Sequence, residues 1–304
     1  MEASKRLLRR KINKPKKAGA GRGFFVAALF ILIFAIVYNF TDILPSRHSF
    51  SPALDEIFVS FIDVGQGDSI LIRSADNAVL IDGGQHRYRN VVLSYLQEAN
   101  VSRLDIVVAT HPHSDHIGSL PTIISRIDVG FVAMPEITHN TETFENFLEA
   151  ILNNDIDVVF PLAGDILQAG IINLEVVSPQ NISNNINNSS IVLRLVHGET
   201  AFLFTGDAER EAEMQMVSSG QDIRANVLKI GHHGSRTSTT QSFLNQVAPD
   251  IAVISVGGSN PFGHPHNEVV ARLKEAEVDI FRTDIHGNIL MATNGRGIFV
   301  HVGG

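Results

Sequence analysis

From residue 57 onward the chain alternates short apolar runs with turns rich in glycine and aspartate, the signature of many brief strands. Residues 57–61 and 69–73, rich in Ile, Val and Phe, flank Asp63-Val64-Gly65-Gln66-Gly67-Asp68 and predict a hairpin. Residues 79–82 predict a strand stopped by Gly83-Gly84. Residues 104–109 (Leu-Asp-Ile-Val-Val-Ala) predict one buried on both faces. Apolar spacing changes to the helical period at residues 90–100 (Val92, Tyr95, Leu96) and 143–152, where Phe144, Phe147, Leu148 and Ile151 share one face. A further helix is expected at 117–127, with Pro121 in its first turn, and a strand at 129–134.

The second half repeats the order. Residues 166–177 predict strand and turn, 191–196 with 201–205 a hairpin, and 226–230, 251–256 and 278–282 single strands. Helices are expected at 209–217, from a Ser238-x-x-Gln241 capping box to about 247, and at 267–276 behind an Asn267 cap; residues 288–302 close the chain as a hairpin. An Asn/Ser-rich loop fills 180–190. Two halves, each with strands before helices, predict an α/β body of two sheets packed face to face with helices outside, spanning 56–304.

The amino-terminal segment follows different rules. Residues 1–22 carry nine Lys/Arg against one Glu, and residues 23–41 hold no charge at all. At about 1.5 Å per residue those nineteen residues nearly match a hydrocarbon core of roughly 30 Å. Basic residues on the amino side alone predict a single-pass membrane anchor with a cytoplasmic amino terminus and a body outside the cytoplasm. Residues 42–55, with Pro45 and Pro52, read as a linker. Beyond residue 22 the charge is −16, from 15 Lys/Arg against 31 Asp/Glu, which repels polyanions at long range. There is no cysteine, so disulfides, thiolate metal sites and cysteine nucleophiles are excluded.

Chemistry concentrates in Thr110-His111-Pro112-His113-Ser114-Asp115-His116, directly after the buried strand at 104–109. Strand carboxyl ends are where α/β folds place their sites, and imidazole with carboxylate is a ligand set for borderline divalent metals. Asp82-Gly83-Gly84, Gly206-Asp207 and Gly231-His232-His233-Gly234 also follow strands, so loops of one rim are expected to converge. Asp207 is read as a ligand rather than a helix cap, and either His232 or His233 as a further one.

These residues resemble the metallo-β-lactamase superfamily. The phrases 61–69 (Phe-Ile-Asp-Val-Gly-Gln-Gly-Asp-Ser), 204–207 (Phe-Thr-Gly-Asp), 228–235 (Leu-Lys-Ile-Gly-His-His-Gly-Ser) and 281–284 (Phe-Arg-Thr-Asp) are similar to the hydrolase domain of ComEC-type competence proteins. The resemblance implies a four-layer αββα sandwich, two divalent ions (Zn or Mn), and phosphodiesterase or nuclease activity. Carried over, His111 and His113 would hold one ion, Asp115 and His116 a second, Asp207 would bridge them, and His232 or His233 would complete the second site. The superfamily's histidine ahead of the Thr-Gly-Asp hairpin is missing, with Asn187-Asn188-Ser189-Ser190 standing instead, so the first ion is expected to be weakly held or bound by an asparagine oxygen. Candidate catalytic residues are Asp82, Asp115 and Lys229; Lys229, Ser235, Arg236 and Arg282 are the candidate contacts to substrate phosphate. Expected partners are a phosphodiester such as DNA and the membrane, with no protein partner evident. The competing expectations are hydrolysis of another ester or a lactam, a teichoic-acid phosphodiester for example, and a non-catalytic nucleic-acid- or cell-wall-binding module.

Overall fold

The computed structural model describes residues 51–302. The expected basic arm, the anchor at 23–41 and most of the linker lie outside the described residues; among the described residues, no helix is long and apolar enough to cross a membrane.

The first half supplies β1 (Ile57–Phe61), β2 (Ile70–Arg73), β3 (Ala78–Ile81), β4 (Arg103–Val108), β5 (Asp128–Ala133) and β6 (Asp157–Val159). The second half supplies β7 (Ile166–Ala169), β8 (Ile172–Ser178), β9 (Val192–His197), β10 (Thr200–Phe204), β11 (Val227–Lys229), β12 (Ile251–Ile254) and β13 (Asp279–Arg282). The closing hairpin, β14 (Ile289–Thr293) and β15 (Ile298–Val302), returns to the first half's sheet. The two sheets run β15-β14-β1-β2-β3-β4-β5-β6 and β13-β12-β11-β10-β9-β8-β7. In each half the early strands pair antiparallel and the later ones parallel, joined by helical crossovers.

Alternation along the strands divides the apolar side chains into three layers of core. Val79, Ile81, Ile106 and Val108 meet Leu193, Leu195, Phe202 and Phe204 between the sheets. The opposite faces, Leu80, Leu104 and Val107 in one sheet and Leu203, Leu228 and Ala252 in the other, pack on helices. Those helices are α1 (Arg89–Glu98), α2 (Ser114–Ile117), α3 (Leu120–Ile124) and α4 (Glu142–Asn153) outside the first sheet, and α5 (Arg210–Ser218), α6 (Gln241–Val247) and α7 (Asn267–Glu275) outside the second. The layers are therefore αββα, as expected. A short α8 (Thr283–His286) follows β13.

Three local expectations change. The helix expected at 117–127 is split into α2 and α3, because the Ser119 N–H turns out of register to the Gly84 carbonyl at 3.0 Å. Ser238 does not cap α6. Its hydroxyl donates to the Gly231 and Ser235 carbonyls at 2.6 and 3.0 Å, while the Thr240 hydroxyl caps the helix by accepting from the Phe243 N–H at 3.4 Å. Asn267 lies inside α7, behind a His266 cap that makes no side-chain capping bond.

Candidate metal centre

Loops from the carboxyl ends of β1, β3, β4, β10 and β11 converge. The ring of His111 is fully buried beside His113, Nε2 to Nδ1 3.0 Å. Asp207 follows β10 through Gly206, and its Oδ2 lies 3.6 Å from His111 Nε2. Its Oδ1 lies 3.2 Å from His116 Nε2 and 3.6 Å from His233 Nε2, while Asp115 Oδ2 is 3.4 Å from the same His233 nitrogen. One carboxylate thus stands between two donor groups, His111 with His113 and Asp115 with His116 and His233. Asp207 makes no capping bond to α5, which begins behind Glu209 without a side-chain cap.

Backbone shape separates the two histidines of the pair left open by sequence. His232 and His233 both take left-handed φ values, 48° and 54°, and this turn sends their rings to different places. His233 is buried in the second group, with its Nδ1 bonded to the Ser255 carbonyl at 2.9 Å. His232 stands at the rim, Nδ1 3.0 Å from Glu209 Oε1 and Nε2 3.7 Å from Asp207 Oδ2. At Gly234, where φ is 82°, a Cβ would sit 2.6 Å from Pro265, so only glycine lets the turn close.

Supporting groups fix the rings. Asp82 is wholly buried at φ 57°, accepts from the Thr110 N–H and hydroxyl at 2.8 and 2.7 Å, and holds His116 Nδ1 at 2.8 Å. Lying behind His116, it is placed to orient that ring. Asp68, to which the sequence assigns no role, pairs with Lys229 and lies 3.5 Å from His233 Nδ1 and 3.8 Å from His116 Nδ1. The one signal that pointed to it was its turn among the polar loops. Gly67 makes its approach possible, since a Cβ would strike the Asp115 carbonyl at 2.4 Å.

Other assignments shift. Lys229 is fully buried, and its ammonium faces Asp68 and the Gly206 carbonyl, so it neutralises charge beneath the centre instead of meeting substrate. Arg282 is clamped on Asp284 through two bonds, 2.9 and 2.6 Å. Arg236 is exposed 4.0 Å from Glu268, and the buried Ser235 hydroxyl bonds Thr237 at 2.9 Å. The Ser190 hydroxyl faces the centre, 3.4 Å from His111 Nδ1 and accepting from the Asp207 N–H at 3.2 Å, and the buried Asn187 Oδ1 has no hydrogen-bond partner. Asn188 is turned away, its oxygen taking the Glu209 and Ala212 N–H groups at 3.0 and 3.3 Å. His139, which lies outside the sequence motifs, packs edge-on to His113 with ring centroids 5.7 Å apart.

The donor set fits a divalent cation. Buried polar atoms normally have partners, yet His116 Nε2, His233 Nε2, Asp207 Oδ1 and Asp68 Oδ1 have no hydrogen-bond partner. With each ring's Nδ1 facing an acceptor, each Nε2 lone pair is aimed at carboxylate oxygen, a repulsive arrangement until a cation or a proton intervenes. The proton affinities carry the same message. Burial would push His116 down, but Asp207 and Asp82 hold it well above its ordinary value. Burial, and then the charge of His116, push His111 well below it. Burial opposes ionisation of Asp207, yet His116 and His233 hold it well below the usual carboxylate range; burial opposes that of Asp115 too, and His233 and His116 again lower it. All donors are imidazole or carboxylate, suited to zinc or manganese.

A four-layer αββα sandwich gathering imidazoles and carboxylates on the loops of one rim defines a class, and the Metallo-beta-lactamase superfamily profile matches residues 62–258. The chain belongs to that superfamily. Within it, the chain is similar to "ComE operon protein 3" of Bacillus subtilis (strain 168), 32% identical over 250 residues, covering 76% of this chain and 32% of that protein. It is also similar to "Competence protein ComA" of Neisseria gonorrhoeae, 33% identical over 248 residues, 80% of this chain and 33% of that one. The chain thus spans about a third of the length of these relatives. Among solved structures, the metallo-beta-lactamase fold protein YhfI from Bacillus subtilis superposes with a TM-score of 0.52 at 12% identity, covering 81% of this chain and 100% of that one. Igni18, a metallo hydrolase from Ignicoccus hospitalis, gives 0.51 at 15% identity, covering 77% and 98%. These two likenesses bear on fold alone.

Proposed function

We propose that this protein is a membrane-anchored, metal-dependent phosphodiesterase that acts outside the cytoplasm on DNA or a related phosphodiester, in connection with DNA uptake. The observation that carries the reading is Asp207, whose two oxygens face two separate donor groups. His111, His113 and Asp207 would hold one ion, and Asp115, His116, His233 and Asp207 the other. Two such ions would supply a nucleophile at neutral pH and offset charge on a phosphoryl group. The chain's own part is preorganisation: Asp82 and the Ser255 carbonyl fix the rings of His116 and His233, and Lys229 balances Asp68 from below. His232, held by Glu209 at the mouth, is the chain's group for proton exchange with a leaving oxygen. The link to uptake and the placement of the body outside the membrane rest on the competence relatives and on the basic arm and uncharged segment at 1–41.

One observation favours a second reading. The charge of −16 beyond residue 22 opposes a polyanion at long range, which leaves a smaller ester such as a teichoic-acid phosphodiester as the rival substrate. A non-catalytic module is disfavoured by the unpartnered Nε2 atoms, costly to keep without a cation. The test is a turnover screen of single-stranded DNA, bis-p-nitrophenyl phosphate, a phosphorylcholine ester and nitrocefin, with manganese or zinc added. Cleavage of the first two is expected; nitrocefin turnover alone, or none at all, would overturn the proposal.

A further inference from the structure

Beside the metal centre lies a cleft of about 870 Å³ that none of the roles above employs. Gln66, Gly257, Phe262, Arg87 and Tyr88 line it. It adjoins the centre directly: Gln66 Nε2 is 3.5 Å from His264 Nδ1, and the His264 ring lies 5.5 Å from that of His232 and 6.5 Å from that of His233.

Phe262 is 60% exposed. Single exposed aromatics are ordinary on protein surfaces, but this one is held in place. Its ring stacks on His264, centroids 5.6 Å apart at 27°. Its loop is locked by Asn260, whose amide donates to the Gly257 and His264 carbonyls at 2.7 Å each and accepts from the Phe262 and His264 N–H groups at 3.2 and 2.9 Å. Both donors and both lone pairs of that side chain are spent on fixing the loop that presents the ring. The Arg87 guanidinium, 5.0 Å over the Tyr88 ring, offers a second flat surface. Tyr88 is seated against Gly65, where a Cβ would meet its hydroxyl at 2.3 Å.

Charge decides what such a cleft recognises. Arg87 shares the lining with the Asp63 carboxylate, and Asp284 is already engaged by Arg282, so the cleft is no phosphate trap. Flat aromatic and guanidinium faces instead suit nucleobases, whose stacking is indifferent to base identity and to net charge. Stacking therefore offers affinity for a nucleic acid where a charge of −16 beyond residue 22 gives no electrostatic help.

We propose that the cleft lined by Phe262 and Arg87–Tyr88 is a base-stacking subsite that seats an unpaired nucleobase next to the metal centre, so that the substrate is single-stranded nucleic acid. This rests on the phosphodiester reading above. The bases lie on the Phe262 side, their backbone runs past His264, and the scissile phosphate reaches the centre. A duplex keeps its bases stacked inward and cannot use the subsite.

The test compares binding of two phosphorothioate-linked oligomers roughly ten nucleotides long, one of thymidine and one abasic, by fluorescence anisotropy with the full-length metal-loaded protein. The linkage resists cleavage, so the readout is independent of turnover. The wild type should prefer the base-bearing oligomer by about tenfold or more, Phe262→Ala should erase the preference, and Phe262→Trp should keep it. Unchanged melting temperatures will show that these surface variants fold. Equal affinity for both oligomers in the wild type, binding of neither, or a preference that survives Phe262→Ala would overturn the subsite. Preference without hydrolysis of bis-p-nitrophenyl phosphate would sink the phosphodiesterase reading alone; hydrolysis without preference would sink the subsite alone.

Discussion

Asp207→Asn separates a shared metal ligand from any merely structural role. Asn keeps the size and one oxygen of Asp and caps helices about as well, but removes one unit of negative charge. That charge is 2% exposed, 3.2 Å from His116 Nε2 and 3.6 Å from both His111 Nε2 and His233 Nε2. At about 4 Å a pair of unit charges is worth roughly 4 kcal/mol at an effective dielectric constant near 20. Even half of that, ~2 kcal/mol, is about 30-fold in affinity, and the loss falls on both donor groups. Metal retained through gel filtration, measured by elemental analysis, should drop by at least one equivalent, and hydrolysis of bis-p-nitrophenyl phosphate should fall by about 30-fold or more. The helix α5 has no side-chain cap to lose, so its stability should hold. Wild-type metal content with a rate within about threefold, ~0.65 kcal/mol of barrier, would refute the shared-ligand assignment.

Lys229→Met leaves the buried Asp68 carboxylate without its counter-charge; urea unfolding of the metal-free protein should show a loss of ~3–5 kcal/mol, and an unchanged midpoint would mean that this pair is unimportant. Glu209 is held at about 2, below its ordinary 4.5, chiefly by the bond to His232 and then, against burial, by Thr237, Asn185 and Asn187. A depressed carboxylate contributes stability that is full above pH 4.5 and lost as pH falls toward 2, so Glu209→Gln in metal-free protein should flatten that part of the pH–stability curve, and a parallel curve would contradict it. Protease added to intact protoplasts should digest the body while a cytoplasmic control survives; survival of both would reverse the proposed orientation.

The strands were legible because β-branched runs closed by glycine and aspartate turns admit few other readings, and β1 to β5 begin and end within a residue or two of expectation. β6 escaped notice because Asp157–Val159 is too short to show a period. The histidine loop was legible for a different reason: three imidazoles and a carboxylate in six residues make a local signal. What sequence could not supply was direction. His232 and His233 are adjacent and identical, and only their left-handed backbone sends one inward. Lys229, a cation at the end of a strand on the same rim, reads from sequence as a phosphate contact, and only the fold brings Asp68 against it. Ser238 had the spacing of a cap, but its hydroxyl is drawn to Gly231 by the tertiary turn. Of the two asparagines expected to offer an oxygen, Asn188 is consumed in holding the start of α5, while Asn187 keeps a buried oxygen without a hydrogen-bond partner and the Ser190 hydroxyl faces His111.

Hydrolysis of phosphodiesters by a centre built on Asp207, between two donor groups, stands or falls with a metal titration. Chelator-stripped full-length protein is titrated with manganese or zinc, and bound metal and bis-p-nitrophenyl phosphate hydrolysis are followed in the same samples. The stripped protein should be inactive, and activity should return in step with metal, saturating at two equivalents per chain. Full activity in the stripped protein, or an absence of metal binding, would contradict a metal-built centre.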